Sequence, residues 1–313
     1  LTGVYRGIYR LSMNYRELYT SILGDTPFRT FAAGFDSRIP VSKNDYVGLG
    51  FSALRDQAGI GNFNRTSAHL SASIIKQLNG SYRGRGSDQY LVAGVQTGFG
   101  QYRVRDTRLW FSNQYDLNQY QIDPTQPSGE LFEGLPTRIF PDFNAGLLWY
   151  AVFDDRNSLF FGAAANHVNR PDISLTEFLK ETLPVRWVVN VGGELPLGKE
   201  LSLLPSIALM RQGNHLSSTL GINFRYTSRD WKEIALRAGA WLHTSNQTNS
   251  GLRQDALIIG TVLETETLNL GLSYDLTLSN LALANDSRGA FEISIQFIKP
   301  EKGRKPKVNC PNF

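Results

Sequence analysis

Two neighbouring stretches decide the fold, LNLGLSYDLTLSN over residues 268–280 and GAFEISIQFIKP over residues 289–300. In the first, a leucine or tyrosine occupies every second position from Leu268 to Leu276, with small or polar residues between them. In the second, phenylalanine and isoleucine alternate with glutamate, serine and glutamine from Phe291 to Phe297. Such period-two alternation is typical of β-strands whose two faces meet different surroundings. The two stretches predict a closing hairpin, and in a barrel its last strand must pair with the first strand of the chain.

The same alternation recurs along the chain and predicts about fourteen strands. Val47, Leu49 and Phe51, for example, alternate with Gly48 and Gly50. We find no convincing amphipathic helix longer than two turns. The predicted strands cover residues 4–17, 28–40, 44–55, 64–78, 88–103, 138–153, 157–168, 184–196, 200–211, 216–227, 231–243, 254–264, 267–277 and 288–299.

Composition alone does not tell whether this sheet meets water or lipid. The chain has 313 residues, 41% of them hydrophobic, and a mean hydropathy of −0.25, which would normally suggest a soluble protein. No apolar run is long enough for a transmembrane helix. Transmembrane strands alternate, however, so their mean hydropathy is low as well. The net charge of +4 is spread along the chain and does not favour a nucleic-acid partner.

Two features bear on processing and redox chemistry. Leu1 leads directly into strand-like sequence without a signal peptide, so we expect the numbering to begin within or after a processed precursor. Cys310 is the single cysteine, which excludes an internal disulfide framework.

The lengths of the joints favour a membrane barrel over a soluble sandwich. Joints after even-numbered strands are mostly tight, with 79–87 as the exception. Joints after odd-numbered strands are mostly longer and cover residues 18–27, 56–63, 104–137, 169–183, 244–253 and 278–287. Outer-membrane barrels sort their connections in this way, whereas Greek-key sandwiches have no reason to. We predict an all-β transmembrane antiparallel barrel of about fourteen strands, with short periplasmic turns, long extracellular loops and both termini periplasmic.

Aromatic residues near the predicted strand ends fit the girdles found at bilayer interfaces, although ordinary strand propensity explains any one of them equally well. These residues are Tyr5, Tyr9, Tyr46, Tyr90, Trp149, Tyr150, Phe153, Trp231 and Trp241.

The joint over residues 104–137 is too long for a plain hairpin loop, and such segments are usually functional or disordered. Its aromatic content argues against disorder. We expect it to fold over the outer mouth or into the lumen and to contact a cargo or partner protein. The candidate contact residues are Trp110, Phe111, Tyr115, Tyr120 and Phe132.

We divide the chain into one barrel domain over residues 1–299 and a basic tail over residues 300–313. The tail is either a solvated extension or a periplasmic docking peptide for an acidic partner. Its candidate docking residues are Lys302, Arg304, Lys305, Lys307 and Phe313.

No catalytic chemistry is predicted. The four histidines lack metal-ligand spacing and no nucleophile motif is present, so we expect neither an enzyme, nor a metal site, nor a cofactor. Strand alternation places Arg225, Asp275, Glu292 and Gln296 towards the lumen. We interpret these side chains as salt-bridged filling in preference to a permeation path.

Motifs over nearly the whole chain resemble the PorP/SprF family of Bacteroidota outer-membrane proteins. They are LTGVYRGIYRLSMNYREL, PFRTFAAGFDSRIP, DYVGLGFSALRDQAGIG, RLWFSNQYD, FFGAAANHVNRPDISL, LSLLPSIALMRQG, LGLSYDLTLSN, GAFEISIQF and KVNCPNF. The usual lead-in before Leu1 is missing. Individually these motifs are modest, and together they are specific.

The resemblance implies a subunit of the type IX protein secretion system, tied in some lineages to gliding motility. Such a subunit would sit in the outer membrane and contact periplasmic and translocon subunits. It would also engage a secreted cargo, such as an adhesin, through the cargo's C-terminal domain. The family brings neither an enzymatic activity nor a cofactor. Two alternatives stay open, an outer-membrane porin or transporter for small solutes and a soluble β-sandwich binding module.

Overall fold

The computed structural model describes residues 2–5, 7–42, 44–59, 63–80, 87–103, 110–117, 119–127, 129, 138–154, 156–174, 180–228, 234–247 and 251–300. The strands in these ranges are β1 (Tyr9–Leu18), β2 (Phe28–Pro40), β3 (Tyr46–Ala58), β4 (Phe63–Asn79), β5 (Asp88–Arg103), β6 (Tyr115–Asp116), β7 (Gln121–Ile122), β8 (Arg138–Asp154), β9 (Asn157–Asn166), β10 (Arg186–Pro196), β11 (Leu201–Gln212), β12 (His215–Tyr226), β13 (Ile234–Gln247), β14 (Gly251–Thr265), β15 (Leu268–Thr277) and β16 (Arg288–Lys299). Two helices of one turn each, α1 (Thr20–Leu23) and α2 (Ala282–Asn285), lie between strands. No helix in the described ranges has the length and apolarity needed to cross a bilayer.

Fourteen of the strands form one closed antiparallel barrel, in the order β1-β16-β15-β14-β13-β12-β11-β10-β9-β8-β5-β4-β3-β2. The first and last strands pair from Tyr9 opposite Lys299 to Leu18 opposite Ala290. The prediction of a closed fourteen-stranded barrel whose last hairpin meets the first strand is therefore confirmed. A sheet that closes on itself is not a sandwich of two sheets, so the sandwich alternative is wrong.

The outer face of the barrel is apolar on every strand. Leu70, Val95 and Ile139, for instance, expose 63%, 64% and 64% of their surface. The residues that alternate with these apolar side chains are glycine, serine, asparagine and charged residues, and they face the interior of the barrel. An apolar outer band around a polar interior is the arrangement that a hydrocarbon environment requires.

Four long connections lie on one rim, which we call the long-loop rim, and they cover residues 19–27, 104–137, 167–185 and 278–287. Both the start of β1 and the end of β16 lie on the other, short-turn rim. The predicted long joints at 56–63 and 244–253 are wrong, because β3, β4, β13 and β14 run on and leave only 59–62 and 248–250 between them. The added strand ends carry polar residues, so the alternation in the sequence does not show that these strands continue.

The interior of the short-turn half is filled by an apolar cluster. Its members are Val4, Tyr46, Ile75, Tyr90, Val92, Leu148, Tyr150 and Val152, with Phe160 packed against them. The rings of Tyr90 and Tyr150 stack with their centroids 4.9 Å apart.

Four aromatic residues that the sequence suggested for a bilayer interface lie inside the barrel instead. Tyr5, Tyr46, Tyr90 and Tyr150 are each at most 4% exposed. At this rim both faces of the strands are apolar, so alternation does not reveal which face meets lipid. Phe153 does lie outside, with 51% of its surface exposed.

The first strand begins at Tyr9, and the predicted start at residue 4 is wrong. Gly7 has φ 149°, and a Cβ there would come within 2.6 Å of the Lys299 carbonyl oxygen. The chain bends at this glycine, and residues 2–5 enter the lumen, where Val4 is 3% exposed.

A buried ionic cluster fills the short-turn half on the wall formed by β10 to β14. Arg225 lies 2.7 Å from Glu264 and 3.6 Å from Glu194, and Arg237 also pairs with Glu264. Glu194 is 2% exposed and Glu264 is 8% exposed. Two glutamates thus balance two arginines in a site that is largely shielded from water.

We predict that Glu264→Gln destabilises the barrel by about 3 kcal/mol, because removing one partner of a buried ion pair leaves the other charges uncompensated. Denaturant unfolding in detergent, followed by tryptophan fluorescence, measures the change. Asp45→Asn is the matched control, since the pair between Asp45 and Lys76 at 2.7 Å is exposed and should matter little. Equal stability of the two variants would contradict this account of the cluster.

Candidate functional site

A small folded hairpin stands on the long-loop rim within the connection between β5 and β8. Strands β6 and β7 pair through Tyr115 with Ile122 and Asp116 with Gln121. The chain reverses at Tyr120, which adopts a left-handed φ of 52°. We call the described residues within 110–127 the rim hairpin.

Gln114 holds the rim hairpin together from the inside. It is 8% exposed, its side-chain oxygen accepts the Phe111 N–H at 3.2 Å, and its amide donates to the Gln126 carbonyl at 3.0 Å. The Asp123 N–H donates to the Gln114 carbonyl at 2.8 Å. These bonds tie both ends of the hairpin to one residue and fix its shape.

A second fixed point lies at Asp123. Its carboxylate accepts the Thr125 hydroxyl at 2.6 Å and the Thr125 N–H at 2.9 Å. These hydrogen bonds hold the pKa of Asp123 below its usual range.

The rim hairpin presents apolar side chains to solvent from its base to its tip. Tyr120 is 80% exposed, Leu117 76%, Trp110 51%, Tyr115 43% and Ile122 40%. Large apolar side chains that a folded segment holds in water are the usual signature of an interaction site. The tip therefore does not insert into the lumen, which was one of the two arrangements expected from the sequence.

The structure thus brings three of the predicted contact residues, Trp110, Tyr115 and Tyr120, onto one exposed hairpin, while Phe111 at its base is half-buried. Leu117 and Ile122 join them and were missed, because a leucine or isoleucine in a loop gives no signal without the hairpin fold. Phe132 lies outside the described residues. So does the predicted docking tail, with Lys302, Arg304, Lys305, Lys307 and Phe313.

The neighbouring loop on this rim is fastened to the barrel through His167, which shares the carboxylate of Asp142 with a second histidine, His69. Asp142 of β8 lies 2.9 Å from Nε2 of His69 on β4 and 2.7 Å from Nδ1 of His167, which follows β9. Asp142 is 2% exposed and His167 3%. No spacing in the sequence predicts that His69 and His167 meet, because only strand register brings them together.

The bonds around His167 hold the start of the loop in place. The His167 N–H also donates to the Asn144 side-chain oxygen at 2.8 Å, so the first residue of the loop is held by both backbone and ring. Within the described ranges, no group of three or more histidine, cysteine, aspartate or glutamate side chains is placed to hold a metal ion.

A polar cavity of about 700 Å³ occupies the middle of the lumen. Ser12, Asn14, Arg65, Gln96 and Arg186 are among the residues that line it. A second cavity of about 340 Å³ adjoins the N-terminal segment, with Thr2, Arg10 and Asp36 in its lining. Charged and polar side chains therefore share the lining of the space left inside the barrel with apolar groups.

The four predicted lumen residues all lie inside the barrel, and three of them are in ion pairs. Arg225 belongs to the cluster with Glu194 and Glu264, and Gln296 lines the larger cavity. Asp275 and Glu292 both meet Arg16, at 2.5 and 3.4 Å. These charges fill space between the strands, which is the role that the sequence favoured for them.

Comparison with known proteins places the chain in a family. A family model described as "Type IX secretion system membrane protein PorP/SprF" matches residues 1–297. No curated protein matches the sequence significantly.

Several solved barrels have a similar fold. They include the CymD monoaromatic hydrocarbon channel, with TM-score 0.53 and 10% identity over 95% of this chain and 90% of that one. A Pseudomonas aeruginosa FadL homologue has a TM-score of 0.52 and 13% sequence identity, over 93% of this chain and 90% of the homologue. CdiB from Acinetobacter baumannii has a TM-score of 0.51 and 8% sequence identity. The match covers 92% of this chain but only 60% of CdiB. At such low identity the likeness shows the barrel fold alone.

We predict that Gln114→Ala makes the rim hairpin sensitive to protease without changing the melting of the barrel. The substitution removes both side-chain bonds of Gln114, from the Phe111 N–H and to the Gln126 carbonyl, which tie the two ends of the hairpin together. Limited proteolysis of the folded protein, with mass spectrometry of the cleavage sites, measures the effect. Gln119→Ala is the control, because Gln119 is exposed and its side chain bonds only within the tip. Equal cleavage of the two variants would show that Gln114 does not hold the hairpin.

Proposed function

The chain belongs to the PorP/SprF family of type IX secretion system membrane proteins, and from this premise we propose that it is a non-enzymatic partner-binding subunit of that machinery. Its fold is a membrane β-barrel of the outer-membrane type. The proposed task is to hold the C-terminal domain of a secreted cargo protein, such as an adhesin, at the cell surface, and to contact secretion subunits on the periplasmic side.

The observation that carries this proposal is the exposed apolar tip of the rim hairpin. A family of secretion proteins needs a surface that grips other proteins, and aromatic anchors commonly supply most of the binding energy of an interface. Tyr120 and Leu117 are held in water by a hydrogen-bonded scaffold. A scaffold that is already ordered loses little conformational entropy when a partner covers it.

The sorting of loops supports an orientation. Outer-membrane barrels carry their short turns in the periplasm and their long loops outside the cell. On that rule the rim hairpin faces the cell exterior, where cargo is retained. The start of β1 and the end of β16 then face the periplasm, and the proposed role of the basic residues beyond Lys299 is to bind acidic surfaces of periplasmic or translocon subunits.

A second candidate function is the passage of small solutes, and the polar cavity of about 700 Å³ is the observation that favours it. The apolar cluster and the buried ionic cluster oppose it, because together they fill the short-turn half of the lumen. We therefore rank partner binding above transport. A purified barrel that conducts ions strongly in planar bilayers would reverse this order.

We predict that replacing both Leu117 and Tyr120 by alanine weakens cargo retention about 30-fold, because two exposed anchors of an interface together contribute roughly 2 kcal/mol. The measurement is co-purification of secreted proteins from native outer membranes, with quantification by mass spectrometry. Gln119→Ala combined with Gln121→Ala is the matched control on the same tip. Deleting residues 300–313 is a separate arm, which should release periplasmic partners and leave cargo bound.

Unchanged capture by the Leu117 and Tyr120 variant would remove the rim hairpin from the binding site. If the variant without residues 300–313 also kept all its partners, the docking role of the tail would be wrong. A folded barrel that captures neither cargo nor secretion subunits at all would overturn the proposed function as a whole.

A further inference from the structure

The N-terminal segment, residues 2–5, is bound inside the lumen by hydrogen bonds to two strands, β2 and β4. The Thr2 hydroxyl donates to Ser71 at 2.7 Å, and the Ser73 hydroxyl donates to the Thr2 carbonyl at 2.6 Å. The Gly3 N–H donates to the Asp36 carboxylate at 2.8 Å. The segment therefore lies across β2, β3 and β4 and is not an extension of β1.

The wall under this segment is shaped to receive it. A Cβ on Gly48 would come within 2.7 Å of the Thr2 carbonyl oxygen, and a Cβ on Gly50 within 2.8 Å of the Thr2 methyl group. The backbone of the segment thus approaches β3 more closely than any side chain there would permit. Two glycines two positions apart on one strand form a groove that fits this peptide.

A second set of contacts fixes the point where the segment leaves the lumen. Arg38 donates to the carbonyl oxygens of Tyr5 at 3.0 Å and Gly7 at 3.3 Å. Arg10 forms a two-pronged pair with Asp36 at 2.9 and 3.1 Å. Both guanidinium groups also face the Tyr5 ring, at 5.0 Å from Arg10 and 5.9 Å from Arg38. The segment is thus held at Tyr5 and Gly7, where it leaves the lumen, as well as at Thr2 and Gly3 inside the lumen.

The position of the segment separates a dry region from a wet one. Val4 packs into the apolar cluster of the short-turn half. Thr2 lines the polar cavity of about 340 Å³ on the other side. Residues 2–5 therefore stand between the hydrophilic interior and the short-turn rim.

We propose that residues 2–5 are a stopper, and that the barrel contains a passage for water and small ions which its own N-terminal segment closes. Withdrawal of the segment empties the glycine groove on β3 and removes Val4 from the apolar cluster. The path opened along this wall joins the cavity of about 340 Å³ to the short-turn rim, beside the side chains of the two clusters that stay in place. The bend at Gly7 is where the segment would swing out, and it lies on the rim where the segment leaves the barrel. The stopper is independent of the rim hairpin, so it goes beyond the partner-binding role proposed above.

The test is single-channel conductance in planar bilayers. The full chain should be close to silent, whereas a variant lacking residues 1–7 should conduct at least tenfold more. Adding the peptide LTGVYRG to the side of the short-turn rim should close that variant again, and a scrambled peptide should not. Heat-modifiable migration in detergent shows that each variant is a folded barrel. A folded variant without residues 1–7 that is as silent as the full chain would overturn the proposal.

A point substitution tests the groove without shortening the chain. Gly48→Val should expel the segment, because its side chain would occupy the place of the Thr2 carbonyl. Gly198→Val is the matched control, since a Cβ there meets nothing within 4 Å. With Val4→Cys in a Cys310→Ser background, a thiol reagent should label the Gly48→Val barrel and leave the control protected. Labelling without a rise in conductance, or protection in both, would contradict the stopper.

Discussion

Backbone hydrogen bonds between β1 and β16 close the sheet, and the other features of the molecule depend on that closure. An open sheet would leave two rows of N–H and C=O groups unpaired, and each such group costs several kcal/mol in hydrocarbon. Closure of the sheet also creates an enclosed lumen. Arg16 on β1 can meet Asp275 on β15 and Glu292 on β16 only because these strands are neighbours across the seam.

The enclosed space is divided along the barrel axis, and the division bears on function. The short-turn half is packed by the apolar cluster around Tyr90 and Tyr150 and by the ionic cluster around Glu264. The middle keeps a polar cavity. A barrel packed in this way leaves its rims as the surfaces for proteins to bind. The rim hairpin, with Tyr120 80% exposed on a scaffold that Gln114 holds together, is an apolar feature of the described part of the long-loop rim.

The strands and their order follow from the sequence, because lipid on one side and a polar interior on the other impose a period of two. The same rule placed Arg225 and Gln296 inside. It could not assign Tyr90 or Tyr150 to a face, since both faces are apolar at the short-turn rim. The entry of residues 2–5 into the lumen depends on the positive φ of Gly7, which the pattern does not encode. His69 and His167 meet at Asp142 only because of the register of β4 and β8 and the turn after β9. No local sequence pattern predicts this contact.

Disulfide trapping across the seam tests the closed barrel most directly. Met13 lies opposite Ile295 in the β1–β16 pairing, and opposed Cα atoms of antiparallel strands are about 5 Å apart, within the range of a disulfide. In a Cys310→Ser background, cysteines at Met13 and Ile295 should cross-link on oxidation in the membrane. The pair Met13 and Phe291, displaced by roughly 13 Å along β16, should not. Failure of the first pair, or equal trapping of both, would contradict the seam and the barrel that it closes.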